Sequence, residues 1–169
     1  ATNAPPKKHT SDPWTRMTCD NCVSWRMIFR GCIAARPTPR ERAEPLKASI
    51  IITSYNYAQY IERSIRSCLS QKFPEDQFEV IVVDDASTDN TIEILEKFSS
   101  HKNFRYILNE KNVGVAESAN SGIKACFGRY FIRVDADDYI HDQLLFLLSF
   151  YLEANHDAFC VSCDYWLVD

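Results

Sequence analysis

Glycine is scarce in this sequence. The 169 residues include only four glycines, Gly31, Gly114, Gly122 and Gly128, and none of them follows the first predicted strand at residues 49–52. A dinucleotide-binding fingerprint or a P-loop needs glycines directly after that strand, because the backbone must approach the phosphates closely. The scarcity of glycine therefore disfavours a hydride-transferring dinucleotide enzyme and excludes a P-loop.

Long apolar runs and long basic runs are also missing from the sequence. No stretch approaches the roughly 18 apolar residues that span a bilayer, and the N-terminus lacks the charged-then-apolar layout of a signal peptide. The net charge is −4, without the basic cluster that attracts nucleic acid or an anionic membrane. We expect a soluble, cytoplasmic protein with no nucleic-acid partner. The sequence carries no signal for or against peripheral membrane association.

The cysteine count is odd, which argues against a disulfide framework. Four of the seven lie in apolar segments and are expected to be buried thiols in a reducing compartment: Cys68, Cys126, Cys160 and Cys163. The other three, Cys19, Cys22 and Cys32, follow the pattern Cys-x2-Cys-x9-Cys. This pattern leaves two alternatives open, a zinc site with His9 or a distant cysteine as its fourth ligand, or a redox pair.

Residues 1–46 differ in composition from the rest of the chain. They hold six of the seven prolines and two of the three tryptophans, with no clear hydrophobic period. We therefore expect an N-terminal extension or linker of unknown role over residues 1–46 and the folded domain over residues 47–169.

Predicted strands and helices alternate regularly after residue 47. Apolar runs predict strands at residues 49–52, 78–83, 104–108, 130–134 and 158–163. Apolar positions at helical spacing predict a helix between each pair of strands, and Gly128 is expected to cap the third helix. The last helix, around Leu144 and Leu152, is apolar over more than half its circumference and is expected to be buried on two sides. The pattern predicts an α/β fold, a mostly parallel sheet with helices on both faces.

Polar clusters follow three of the predicted strands. They are Thr53-Ser54-Tyr55-Asn56, Asp84-Asp85 and Asp135-Ala136-Asp137-Asp138. Because ligands bind beyond the carboxyl ends of parallel strands, we expect all three clusters at one edge of the sheet.

The third cluster places three carboxylates within four residues. Two negative charges about 4 Å apart repel by about 1 kcal/mol in water and about 4 kcal/mol in a partly buried cleft. Mg²⁺ or Mn²⁺ is the natural counter-charge, since either ion accepts carboxylate, phosphate and water oxygens. The alternative is an exposed acidic turn, in which Asp138 caps a helix and Asp135 pairs with Arg133 on the same strand face.

An aromatic ring, hydroxyls and a carboxylate pair accompany this acidic cluster. Tyr55 suits stacking on a nucleobase, a carboxylate suits a base N–H, and a metal held between carboxylates suits a diphosphate. Together these groups indicate a site for a nucleotide diphosphate.

Five ordered motifs resemble the family 2 glycosyltransferases of GT-A fold over about residues 48–168. They are Ile50-Ile51-Ile52-Thr53-Ser54-Tyr55-Asn56, Ser67-Cys68-Leu69-Ser70-Gln71, residues 82–91 around Asp84-Asp85, Asn112-Val113-Gly114 with Asn120-Ser121-Gly122-Ile123, and Gly128-Arg129-Tyr130 leading to Asp135-Ala136-Asp137-Asp138. The resemblance implies inverting transfer of a sugar from a UDP- or dTDP-sugar to a hydroxyl of a carbohydrate or lipid-linked acceptor, in polysaccharide assembly.

The resemblance also implies roles for the nucleotide-binding residues. Thr53 and Tyr55 are expected to line the nucleotide pocket, with the tyrosine ring against the base. Asp85 is expected to accept a hydrogen bond from the base, with Asp84 in support.

Asp135-Ala136-Asp137 corresponds to the DXD motif of the family. Asp137 is then the main ligand of Mg²⁺ or Mn²⁺, and Asp135 lies near the ribose or the waters of the metal. Asp138 either contacts the donor sugar or caps the next helix.

Two features depart from the family. Many relatives carry an arginine where this chain has Ala119, which places more of the charge compensation on the metal. The acceptor site and the general base of the family lie in a downstream acidic motif, so the base is expected beyond Asp169. We expect the chain to be the donor-binding part of a GT-A domain, with no catalytic base of its own and little activity alone.

Two other classes of protein remain as alternatives. One is a non-catalytic module that binds a nucleotide sugar or a partner. The other is a Mg²⁺-dependent phosphoacceptor domain, in which the acids usually cluster on the first strand.

Overall fold

The computed structural model describes residues 32–35 and 47–164. The strands are β1 Cys32–Ala35, β2 Ala48–Ser54, β3 Phe78–Asp84, β4 Phe104–Leu108, β5 Tyr130–Asp135 and β6 Cys160–Ser162. The helices are α1 Ala58–Leu69, α2 Thr91–Glu96, α3 Val115–Ala125 and α4 Leu144–Ala154, with a 3-10 turn at Glu75–Gln77. The predicted alternation of strands and helices is confirmed within these residues.

One sheet in the order β4-β3-β2-β5-β1-β6 organises the fold. The pairs β2–β3, β3–β4 and β2–β5 are parallel, and a helix joins β2 to β3, β3 to β4 and β4 to β5. The register pairs Thr53 of β2 with Asp135 of β5, and Ser54 of β2 with Asp84 of β3. The polar ends of these three strands therefore meet at one edge of the sheet, as predicted.

A piece of the predicted N-terminal extension belongs to the sheet. The strand β1 runs antiparallel between β5 and β6, with Ile33 opposite Ile132 on one side and Val161 on the other. Placing residues 32–35 outside the domain is therefore wrong. Four residues carry too short a pattern to reveal a strand whose partners lie about 100 or more residues away in the sequence. Cys32 lies in β1, whereas Cys19 and Cys22 are outside the described residues, so the zinc prediction stays a prediction.

Two apolar layers cover the two faces of the sheet. Alternate strand residues such as Ile50, Ile52 and Ile132 pack against α1, α2 and α4 in the larger layer. Ile51 and Phe131 on the opposite face pack in the smaller layer, to which α3 contributes Ile123. Helices on both faces are therefore confirmed.

The cysteines in these layers differ in burial. Cys68 and Cys126 are buried, as expected, but Cys160 is exposed. The prediction of burial is therefore wrong for Cys160, which lies on the edge strand β6, and Cys163 is only partly buried.

Gly122 and Gly128 bring α3 and its following loop against β2. A Cβ at Gly122 would lie 2.5 Å from Cγ2 of Ile51, and a Cβ at Gly128 would lie 2.4 Å from the carbonyl carbon of Ala48. Because α3 already ends at Ala125, the prediction that Gly128 caps the helix is wrong. The Gly128 N–H instead donates to Oγ of Ser49 at 2.8 Å, so glycine is needed there for close backbone approach.

The helix α4 is buried on one side only. Leu145, Leu148 and Leu152 are buried, whereas Phe146, Leu147, Phe150 and Tyr151 are 50–62% exposed. The expectation of burial on two sides is wrong for the described residues, because apolar composition favours burial without specifying how many neighbours a helix has. None of the helices in residues 47–164 has the length and apolar character of a membrane span.

Candidate functional site

A cavity of about 770 Å³ lies at the edge where β2, β3 and β5 end. Five of the predicted site residues line it, namely Thr53, Tyr55, Asp85, Asp135 and Asp137. The remaining two, Asp84 and Asp138, are not among its lining residues. The structure therefore brings one member or more of each predicted polar cluster to a common cavity.

Two buried hydroxyls at the end of β2 point to an absent ligand. Thr53 and Ser54 are 7% and 4% exposed, both line the cavity, and neither hydroxyl has a hydrogen-bond partner within the described part of the chain. A buried hydroxyl without a partner is destabilising by about 1–3 kcal/mol. Oxygens or N–H groups of a bound molecule are the natural partners in this position.

The loop after β2 places Tyr55 at the mouth of the cavity. Its side chain is 44% exposed, and the next residue, Asn56, has a φ of 56°, a left-handed conformation that asparagine tolerates. The Asn56 side-chain oxygen accepts the Thr88 N–H at 2.7 Å, and the backbone N–H of Asn56 donates to Oγ of Ser87 at 2.9 Å. These bonds fix the loop after β2 to the loop after β3 and leave the Tyr55 ring open to a flat ligand.

Asp84 shapes the loop after β3. Its side chain is 1% exposed and accepts the N–H of Ser87 at 2.9 Å and the hydroxyl of Ser87 at 2.5 Å. The intervening Ala86 has a φ of 63°, and these bonds hold it there. Asp84 therefore stabilises the loop that follows β3, and its predicted role in support of Asp85 toward a base stays a prediction.

Asp85 connects the cavity to the loop at residues 109–114. Its Oδ1 accepts Nδ2 of Asn109 at 2.8 Å and the N–H of Val113 at 2.9 Å, and its Oδ2 accepts the N–H of Gly114 at 2.7 Å. Burial raises the pKa of the Asp85 carboxyl, but these hydrogen bonds outweigh burial and hold the pKa below its ordinary value. Asp85 is therefore ionised at neutral pH.

Asp135 lies in the cavity as half of an ion pair. Oδ1 of Asp135 is 2.5 Å from a terminal guanidinium nitrogen of Arg133, and the two side chains are 20% and 13% exposed. The two residues share a strand face because they are two positions apart in β5. This pair was the structural alternative for Asp135 in the sequence, and Arg133 had no predicted role in ligand binding.

The backbone after β5 turns so that Asp137 lines the cavity. The Asp138 N–H donates to the Asp135 carbonyl at 3.1 Å, and a guanidinium nitrogen of Arg63 donates to the Asp137 carbonyl at 3.1 Å. The N-cap of α4 is Gln143, so the alternative that Asp138 caps the next helix is wrong.

One face of α3 borders the cavity. Ala116, Ala119, Asn120 and Ile123 all line it, and the buried side of the helix is formed by Ser118, Ala119 and Gly122. The small Ala119 side chain leaves space at the position where the resemblance favours an arginine.

The carboxylate oxygens in the cavity suit a divalent cation only if a bound ligand supplies further oxygens to the same ion. No group of three or more His, Cys, Asp or Glu residues within residues 47–164 could hold a metal ion by itself. Asp135 and Asp137 nevertheless offer carboxylate oxygens in one cavity. Mg²⁺ and Mn²⁺ accept such oxygens and complete their coordination with phosphate and water. The residues therefore fit an ion that arrives with a phosphate.

Sequence comparisons relate this chain to sugar transferases. TarS of Staphylococcus aureus, a poly(ribitol-phosphate) beta-N-acetylglucosaminyltransferase, is 36% identical over 112 residues, which is 66% of this chain and 20% of TarS. Chondroitin synthase of Escherichia coli is 38% identical over 93 residues, which is 54% of this chain and 13% of the synthase. The chain therefore spans about a fifth or less of these relatives.

Structural comparisons agree with the sequence comparisons. TarS residues 1–349 in complex with UDP-GlcNAc match with a TM-score of 0.63 at 36% identity, covering 66% of this chain and 32% of that one. The mannosyltransferase PcManGT of Pyrobaculum calidifontis, in complex with GDP-Man and Mn²⁺, matches with a TM-score of 0.53 at 26% identity, covering 57% and 29%. The α/β sheet described above is the GT-A fold of these proteins. The family model for Glycosyl transferase family 2 matches residues 49–169, and the chain belongs to that family.

Proposed function

We propose that this chain binds the nucleotide-sugar donor of an inverting glycosyltransferase and that the whole protein transfers the sugar to a hydroxyl of a carbohydrate or lipid-linked acceptor. The observation that carries this proposal is the meeting of Thr53, Asp85 and Asp137 around one cavity. These residues supply a hydroxyl, an ionised acceptor and a metal-competent carboxylate. The related TarS has been crystallised with UDP and with UDP-GlcNAc.

The Asp85 carboxylate is the proposed acceptor for a base N–H. Oδ1 accepts Asn109 and Val113, Oδ2 accepts Gly114, and the Ser118 side chain also hydrogen-bonds to this carboxylate. Each carboxylate oxygen accepts about two hydrogen bonds, so a base N–H that binds Asp85 replaces one of these donors.

Uracil and thymine carry a single ring N–H, which can donate to a carboxylate. The family resemblance implies a UDP- or dTDP-sugar as the donor, and the related TarS has been crystallised with UDP-GlcNAc. In this proposal the donor is therefore a UDP- or dTDP-sugar, with Tyr55 against the base.

The diphosphate lies, in this proposal, between Asp137 and the buried hydroxyls of β2. Three carboxylates line the cavity, Asp85, Asp135 and Asp137, and they repel an anionic diphosphate unless a cation intervenes. Mg²⁺ or Mn²⁺, when bound, neutralises charge on the diphosphate and makes it a better leaving group. Asp137 holds the ion, and Asp135 orients the ribose or the waters of the metal.

The acceptor hydroxyl attacks the anomeric carbon from the side opposite the diphosphate, which inverts that centre. Asp85 is held by loop hydrogen bonds, Asp135 by Arg133, and Asp137 is assigned to the metal. We therefore assign the general base to a part of the protein other than residues 47–164, and this chain to donor binding.

Calorimetric titration with UDP, with and without Mn²⁺, tests the proposal. We expect Mn²⁺-dependent binding that Asp137→Asn reduces by tenfold or more, on the order of the loss of a charged ligand. Asp157→Asn, which changes an exposed carboxylate of the α4–β6 turn, is the matched control and should leave binding unchanged. UDP and dTDP should bind more tightly than GDP, ADP or CDP, as the proposed class of donor requires.

Two outcomes contradict the proposal. UDP binding that is absent, or equally strong without metal and in Asp137→Asn, removes its basis. Labelling of an aspartate by acetyl phosphate in the presence of Mg²⁺ instead supports the phosphoacceptor class.

A further inference from the structure

Arg133 is the one arginine or lysine among the described residues that line the cavity. It lies on β5 opposite Ile51 of β2, while Asp135 lies opposite Thr53. The strand alternation directs Arg133 and Asp135 to the sheet face that α3 only partly covers. With a side chain only 13% exposed, the guanidinium is enclosed by the protein and fixed in place beside the acidic cluster.

The ion pair changes what Asp135 can offer to a divalent cation. Oδ1 of Asp135 is occupied by the guanidinium at 2.5 Å, and a planar guanidinium binds a carboxylate firmly. A cation must therefore compete with Arg133 for the Asp135 carboxylate. Otherwise Asp137 is the only one of the two carboxylates that can coordinate it. One carboxylate with a partly engaged neighbour is a weak site for Mg²⁺ or Mn²⁺, which prefers several oxygens.

A nucleotide diphosphate removes this deficit. The phosphate oxygens supply metal ligands that the protein lacks. The negative charge of the diphosphate also attracts the Arg133 guanidinium, which weakens its hold on Asp135. In α3 the residue that borders the cavity at the family's arginine position is Ala119. No arginine of α3 therefore competes with the cation for the diphosphate. Metal and diphosphate then strengthen the binding of each other by the same factor, as thermodynamic linkage requires.

We propose that Arg133 is a positioning residue that holds the Asp135 carboxylate in an ion pair, so that the divalent cation binds tightly only together with the diphosphate of the nucleotide. This inference rests on the proposed function and deepens it. It predicts ordered or joint loading of metal and nucleotide. An enzyme of this design does not hold a metal in an empty donor site.

Mn²⁺ binding followed by electron paramagnetic resonance, without nucleotide, tests this role. We expect Arg133→Met to bind Mn²⁺ about tenfold more tightly than the parent chain, because Asp135 is released to the ion. A variant that merely loses structure would bind more weakly, so the direction of the change separates positioning from folding.

Two further variants isolate the pair. In the Asp135→Asn background, Arg133→Met should change Mn²⁺ affinity by less than about twofold, because the carboxylate that Arg133 restrains is gone. Arg129→Met is the matched control, since Arg129 is exposed, stacks on Tyr130 and lies at the far end of β5. It should leave Mn²⁺ affinity unchanged.

Linkage supplies a second measurement on the same proteins. The factor by which saturating UDP raises Mn²⁺ affinity should be about tenfold smaller in Arg133→Met than in the parent chain. Suppose that the parent chain binds UDP in a Mn²⁺-dependent way but folded Arg133→Met binds Mn²⁺ no more tightly than the parent. That result overturns the role of Arg133 and leaves the proposed function standing. Failure of the parent chain to bind UDP at all overturns the proposed function, and this inference with it.

Discussion

Thr53 and Asp135 are register partners on the neighbouring parallel strands β2 and β5, and both line the cavity at the sheet edge. Register partners in a sheet direct their side chains to the same face. A hydroxyl without a partner and a paired carboxylate are therefore held side by side by backbone hydrogen bonds of the central sheet. A site built in this way is positioned by the most buried part of the fold.

Because the Thr53 hydroxyl is unpaired, we predict that its removal raises the stability of the fold and lowers the affinity for nucleotide. Thr53→Val keeps the shape of the side chain and removes the buried hydroxyl, so we expect an increase of about 1 kcal/mol in the free energy of unfolding without nucleotide. UDP affinity should fall in the same variant. Denaturant unfolding and calorimetry measure the two effects.

Thr91→Val is the matched control for this substitution. The Thr91 hydroxyl is fully buried and donates to Asp89 at 2.5 Å, so its removal leaves a carboxylate oxygen short of a partner and should destabilise the fold by about 1–3 kcal/mol. Equal effects at the two threonines would show that the Thr53 hydroxyl is not unpaired.

The hydrogen bonds to Asp85 predict a dependence of stability on acid. The folded-state pKa of Asp85 lies below its ordinary value, so Asp85 contributes stability that is fully present above its unfolded-state pKa of about 3.9. This contribution is lost as the pH falls through the lower, folded-state pKa. Asp85→Asn should therefore be less stable than the parent chain at pH 7, and the difference should shrink below about pH 4. Urea unfolding at several pH values tests this; a difference that stays constant with pH would contradict it.

The two glycines against β2 should differ in their sensitivity to alanine. At Gly128 the new methyl group meets backbone atoms of Ala48 and Ser49, whereas at Gly122 the nearest atom belongs to the Ile51 side chain. A side chain can shift and a central strand cannot, so Gly122→Ala should cost about 1–3 kcal/mol and Gly128→Ala more. Thermal and denaturant unfolding of both variants measure the order, and the reverse order would contradict the packing described here.

The burial of Cys68 predicts an unreactive thiol. The Cys68 side chain is fully buried, and burial raises the pKa of its thiol to about 12. The thiolate is the reactive form, so iodoacetamide at pH 8 should label Cys68 only after unfolding. The exposed Cys160 is the internal comparison, and peptide mapping by mass spectrometry distinguishes the two. Labelling of Cys68 at the rate of Cys160 in the folded protein would contradict its burial.

Most of the fold between residues 47 and 164 could be predicted because its signals are local. Continuous apolar runs such as residues 80–83 form buried parallel strands, and Ile61, Ile65 and Cys68 mark the buried side of α1. The rule that ligands bind beyond the carboxyl ends of parallel strands then places Thr53, Asp85 and Asp137 together without any knowledge of side-chain contacts. The roles of these residues toward a ligand stay predictions.

The features that were missed depend on contacts between distant parts of the chain. The strand β1 is specified by backbone pairing with β5 and β6, and the requirement for Gly128 comes from its approach to β2. Apolar residues on α4 indicated burial but not that one side of the helix would stay exposed.

Residue order was enough to define the strand ends and the chemical groups they carry, because hydrophobic period and strand polarity are properties of short segments. Whether a given group is free to bind was settled by folding, since it depends on which donors and charges reach it from elsewhere. Asp84 accepts hydrogen bonds from Ser87, and Asp85 accepts hydrogen bonds from the loop at residues 109–114. Asp135 forms an ion pair with Arg133. Of the carboxylates that line the cavity, Asp137 is the one that we assign first to a metal.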